Sequence, residues 1–168
     1  MIELPYDRRA AVEYAHRWAY SRNPNYYDYT GIGGDCTNFA SQVLYAGSGV
    51  MNFTPVFGWY YLDANRKSPS WTGVPYFFNF LTRKERSVGP FGVEAPLEVI
   101  LPGDFVQFRY SADTYGHTPV VVQTGSPPTL QNTLVAAHTD DADWRPISTY
   151  DFREIRFIHI LGVRKNGD

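Results

Sequence analysis

One cysteine, Cys36, follows Gly33-Gly34-Asp35 and precedes Thr37-Asn38-Phe39-Ala40-Ser41-Gln42, a stretch that reads as the start of a helix. A cysteine nucleophile needs thiolate character, a base to manage its proton, and hydrogen-bond donors where an oxyanion will form. A free thiol, with a pKa of about 8.5, is only a few per cent ionised at neutral pH. The first turn of a helix supplies free N–H groups and the positive end of the dipole, which favour the thiolate by roughly 0.3–1 kcal/mol when exposed. A neighbouring imidazolium is expected to supply the rest. The glycines before Cys36 let a substrate backbone come close, and polar Thr37, Asn38 and Ser41 surround it. Without that context a lone cysteine reads as a small buried hydrophobe.

Four histidines are candidates for the base. His117 follows Tyr115-Gly116 at the beginning of a strand, from which its side chain can project toward a helix end. His138 ends the run Leu134-Val135-Ala136-Ala137, so a short step across neighbouring strands would bring it to the outer nitrogen of His117 and fix the tautomer. The acidic run Asp140-Asp141-Ala142-Asp143 offers a rival orienting carboxylate or a solvated loop. His16 lies mid-helix and His159 inside a strand, positions that suit structural histidines. A metal site needs three or four converging ligands, and no such spacing is evident; no metal and no cofactor is expected. Ser41 and Ser148 lack the glycine-flanked elbow of a serine hydrolase.

The elements that must position these groups fall into two halves. Tyr6 to Tyr20 places Ala11, Tyr14, Ala15 and Trp18 at helical steps, ended by Ser21-Arg22-Asn23-Pro24. Asp35 to Ala46 reads as a second helix with Gly47 as its left-handed stop. Ser48 to Ser70 reads as a long aromatic loop, and Thr72 to Leu81 as a third helix with Pro75 near its start. Strands are then expected over Phe105 to Tyr110, Gly116 to Gln123, Thr133 to Thr139 and Ile155 to Val163. Helices first and a meander of strands second argue for an α+β fold with an antiparallel sheet and helices packed on one side.

Composition bounds the answer. The 168 residues suit one domain with a core of its own. The formal net charge of -2 gives no electrostatic footprint for nucleic acid, and 43% hydrophobic with 19% charged residues argues against disorder. A single cysteine excludes an intramolecular disulfide and Cys-paired zinc sites. No run approaches the roughly 18 apolar residues of a spanning helix, and no signal peptide is evident. An extracellular or cell-envelope location is expected if the chain is a fragment of an exported precursor, and a cytoplasmic one otherwise. The 17% aromatic content, crowded at Asn25-Tyr26-Tyr27-Asp28-Tyr29 and Phe57-Gly58-Trp59-Tyr60-Tyr61, reads first as core and edge packing, with a sugar or peptide groove as the alternative.

Gly33 to Gln42, followed by Trp59-Tyr60, Trp71, Leu101-Pro102-Gly103-Asp104, Gly116-His117 and Ala137-His138-Thr139-Asp140, resembles the putative amidase domain family over nearly the whole chain. More distantly it is similar to papain-like cell-wall peptidases of the NlpC type. The resemblance implies a single amidase-like domain over residues 1–168, with a papain-like arrangement in which the nucleophile opens a helix packed on an antiparallel sheet. It implies Cys36 as nucleophile, His117 as general base and acid, and His138 as the orienting third member, with Asp140 as competitor for that place. The reaction implied is hydrolysis of an amide or peptide-type bond in a cell-envelope or peptidoglycan-like substrate. Acyl transfer on the same scaffold and a non-catalytic peptide- or glycan-binding module are the alternatives.

Overall fold

A computed structural model describes residues 1–167 as an α+β fold built on an antiparallel sheet. Asp7 caps helix α1 (Arg8–Trp18), its carboxylate accepting from the Ala10 amide at 3.0 Å. Helix α2 (Cys36–Ser48) follows a turn-rich loop. Its end lies two residues beyond the expected stop. Gly49, at φ +67°, supplies the left-handed cap and donates to Tyr45 O, whereas Gly47 is helical. Gly47 has a packing reason instead: a Cβ there would meet the Tyr6 ring at 2.4 Å.

The segment expected to be a loop contains a small hairpin, β2 (Tyr61–Asp63) with β3 (Arg66–Lys67). The third expected helix is two, α3 (Pro69–Thr72) and α4 (Val74–Leu81), broken at Gly73, whose backbone is extended. The aromatics around them are mostly core. Trp71 is fully buried, stacks on Trp59 with ring centroids 4.8 Å apart, and is flanked by Tyr26 and Tyr61. Phe57, by contrast, is 84% exposed.

The main sheet runs β1 (Ile2–Leu4), β9 (Glu154–Lys165), β5 (Phe105–Arg109), β6 (Val120–Gln123), β7 (Leu134–Ala137), β8 (Ala142–Pro146), with β4 (Gly89–Ala95) on the other edge of β9. Every pairing is antiparallel. Alternation splits the strands between two cores. Phe105, Val120, Val122, Ala136, Ile158 and Ile160 join the helices, while Val106, Phe108, Val121, Val135 and Phe157 meet Ile100 and Ile147 on the opposite face.

The Pro102-Gly103-Asp104 turn locks these layers together. The buried Asp104 carboxylate accepts from Arg8 Nη1 (2.8 Å), the Ile160 amide (2.8 Å) and the Leu101 amide (2.9 Å), and pairs with His159 Nδ1 at 2.7 Å. Tyr6 Oη donates to Gly103 O. His16 likewise pairs with an acid, Asp143, and stacks on Trp144. Both histidines thus have the structural partners their positions suggest.

Candidate functional site

Cys36 is the first residue of α2 and is 8% exposed. Its neighbours are polar and not an apolar cluster. Thr37 Oγ1 lies 3.6 Å from Sγ, and the backbone amides of Thr118 and Thr37 face the sulfur. Thr37 Oγ1 also meets Thr118 Oγ1 at 3.1 Å, which ties the helix start to the strand segment carrying His117. Gln107, fully buried on β5, holds Thr118 from the other side by donating from Nε2 to its hydroxyl, and its Oε1 accepts from Arg156.

Asn38 and Ser41, read from sequence as polar neighbours of the thiol, serve the scaffold. Asn38 accepts from Trp71 Nε1 and donates to Asp35 and to Tyr27 O. Ser41 donates to Trp71 O and accepts from Trp59 Nε1. These bonds pin the first two turns of α2 to the aromatic core, so the thiol rests on rigid backbone.

His117 lies just before β6, bridged to Phe108, and is 6% exposed. Its ring makes no hydrogen bond among the described residues. It is held by packing, with the Tyr150 ring centroid at 5.7 Å and that of Phe108 at 6.2 Å. Burial, and secondarily the Arg145 guanidinium, push its pKa down to about 4. Burial also pushes the Cys36 thiol up, against the pull of the Thr37 and Thr118 hydrogen bonds. Burial thus favours the neutral form of both thiol and imidazole, and opposes the imidazolium expected to support a thiolate.

His138 does not meet His117. β7 ends beneath α1 and delivers the ring to two other partners, with Nδ1 2.6 Å from Asp35 Oδ2 and Nε2 2.7 Å from Trp18 O. Both ring nitrogens are spoken for, which corrects the expected orienting contact. The Trp18 carbonyl belongs to the last turn of α1, whose acceptors lack intrahelical donors. Asp35 and His138 are each 1% exposed, and His138 stacks on Phe39 at 3.9 Å. Asp35 also accepts from the Tyr29 amide and Asn38 Nδ2. The residue before Cys36 is thus fixed by three side-chain hydrogen bonds.

Asp140, the competitor, lines the same cleft as His117 without bonding to it. It sits in the turn between β7 and β8, where Thr139 and Asp140 have φ of +63° and +54°. Positive φ at a β-branched threonine is strained, and three hydrogen bonds hold the turn. The Asp35 amide donates to Thr139 Oγ1, and Arg22 grips Asp141 with two hydrogen bonds of 3.0 Å. The acidic run is accordingly the turn and the first half of β8, a strand its charged composition concealed.

The cleft has a volume of about 350 Å³ and is lined by Tyr110, His117, Asp140, Arg145 and Tyr150 among others. Burial pushes the Tyr110 phenol up against the pull of Arg145, and an ionised Cys36 would add to that push. Tyr110, Arg145 and Tyr150 were not foreseen, and no local spacing signals them. Among the described residues no cluster of three or more His, Cys, Asp or Glu could hold a metal ion, and no helix is long and apolar enough to cross a membrane.

A family profile described as a putative amidase domain matches residues 5–161. The chain is also 32% identical over 145 residues to an uncharacterized protein, YhbB, of Bacillus subtilis (strain 168). The alignment covers 83% of the chain and 43% of that protein, so the chain spans less than half of its relative's length. No solved structure matches.

Proposed function

The chain belongs to the putative amidase domain family, and on that premise we propose that it hydrolyses an amide bond through Cys36, with His117 as general base and acid. The observation that carries this reading is the thiol at the first turn of α2, facing the Thr118 amide one residue from a buried, unpaired imidazole at a cleft. A base kept neutral by burial can take a proton at neutral pH.

In this mechanism the neutral thiol loses its proton to His117 as Sγ attacks the substrate carbonyl, forming the C–S bond. Main-chain N–H groups at the helix start face the developing oxyanion. His117 returns the proton to the leaving amine as the C–N bond breaks, then removes a proton from the water that releases the acyl group. His138 is a positioning residue that acts through Asp35. The helix-borne nucleophile and antiparallel sheet agree with a papain-like arrangement, and the likeness to NlpC-type peptidases favours a cell-envelope amide as substrate. That substrate would in turn call for export of the chain.

The test is incubation with peptidoglycan-derived peptides, with mass spectrometry of both products and protein. Hydrolysis that disappears in Cys36→Ala, with an acyl adduct on Cys36 of the parent, is the expected result. Undiminished hydrolysis in Cys36→Ala would overturn the reading. Products carrying an added amine in place of water would identify acyl transfer instead.

A further inference from the structure

Arg145 stands half-buried in the wall of the His117 cleft, and its geometry is already fixed. The guanidinium lies over the Tyr150 ring, 3.8 Å from the centroid. Nε donates to Thr149 Oγ1 at 2.8 Å and Nη2 to Thr149 O at 3.1 Å. All three restraints come from one short segment, and Nη1 is left without a hydrogen-bond partner among the described residues. No carboxylate among those residues pairs with Arg145, although Arg22 is met by Asp28, Asp35 and Asp141 and Arg109 by Glu154. A guanidinium held flat and unpaired has lost its rotamer freedom before any ligand arrives, which favours recognition of a planar anion.

The Tyr150 ring lines the cleft beneath Arg145, and its hydroxyl, closed off from solvent, lies against that guanidinium. The acids of the cleft, Asp140 and Asp151, are both exposed at its rim. Hydrated carboxylates there oppose the entry of polyanions more than that of a single carboxylate.

We infer that Arg145 is a specificity residue that receives a substrate carboxylate close to the scissile amide. The substrate class is then an N-acyl amino acid or a peptide with a free carboxylate flanking the bond that is cut. This rests on the reading of Cys36, which like Arg145 lies near Tyr110, as the nucleophile that serves this cleft. A planar carboxylate fits the guanidinium fork with two parallel N–H bonds, which a neutral amide cannot match.

Alkylation of Cys36 tests both ideas separately. Iodoacetate and iodoacetamide each transfer a methylene to Sγ, forming a C–S bond, expelling iodide and releasing the thiol proton. Only the first carries a carboxylate. The ratio of their rates at Cys36 is expected to exceed the ratio at a free thiol, with saturation by iodoacetate, and to fall about tenfold in Arg145→Gln. Arg145→Lys, which keeps the charge and loses the fork, should fall between. An identical ratio in the parent and Arg145→Gln overturns the carboxylate site. If neither reagent modifies Cys36, the nucleophile reading fails, and the carboxylate site is decided by NMR of the His117 ring. N-acetylglycine is expected to move that signal in the parent and not in Arg145→Gln, while N-acetylglycinamide moves it in neither. Equal shifts by acid and amide, or none, overturn the inference.

Discussion

Asp35 and His138, 103 positions apart in sequence, meet through a 2.6 Å hydrogen bond from Nδ1 to Oδ2, each only 1% exposed. The histidine expected to orient the base instead fixes the backbone that carries Cys36. A residue in that position acts on chemistry only through geometry, and its loss should be felt first in stability.

His138→Ala leaves Asp35 buried without its main partner and is expected to cost about 3 kcal/mol or more in urea unfolding. Asp35→Asn should cost a similar amount. The double variant should cost less than the sum of the two, because the uncompensated group is then removed from both sides. Strict additivity would show that the pair does not act as a unit.

The titration of His117 has a definite sign. Its folded pKa of about 4 lies below the unfolded value of about 6.5, so protons bind the unfolded chain more readily. The contribution is fully present above about pH 6.5 and falls away as pH drops toward 4, by about 3 kcal/mol at most. Unfolding titrations of the parent and His117→Gln should diverge in that window and run parallel above it. The same pKa places the acid limb of amide hydrolysis near pH 4, since imidazole must be neutral to accept the thiol proton.

Burial holds the Cys36 thiol neutral, so without substrate its alkylation by iodoacetamide should climb only in or above the ordinary thiol range near 8.5. A limb well below that value would reveal a thiolate–imidazolium pair in the resting site. Its appearance would contradict the neutral pair described above.

Gly47→Ala tests the packing between the first two helices. The added methyl would lie 2.4 Å from Tyr6 Cε1 and 2.8 Å from Asp7 O. Overpacking of this kind costs about 1–3 kcal/mol, more than the helix propensity gained from alanine. Unchanged thermal stability would mean that Tyr6 can swing away from Gly103 at no cost.

Much of this molecule was legible in its residues because its signals are local. The helix opened by Cys36, its apolar positions Phe39, Ala40, Val43 and Leu44, and the alternation in Phe105–Arg109 follow from periods of a few residues. β4 was not legible, since its Gly-Pro-Phe-Gly opening reads as a breaker and becomes a strand only beside β9. β8 was hidden by Asp143 and Arg145, charges that the fold takes up by pairing the first with His16 and setting the second in the cleft wall. The partners of His138 were beyond reach for a different reason. Ring nitrogens take the acceptors that folding brings to them, here from 103 and 120 positions away. Arg145 and Tyr150 enter the cleft through the same long-range assembly.

The strand Glu154–Lys165 pairs with β4 along one edge and with β5 and β1 in succession along the other. Arg8, near the other end, donates to Ile160 O across 152 positions. Seen from the ribosome, the first helix and the cysteine emerge long before the strand against which their layer closes. Native closure must wait until residues near 165 have left the exit tunnel, and the earlier segments remain open to chaperones meanwhile. The assembly order thus keeps the thiol away from a finished cleft until the Glu154–Lys165 strand has been made.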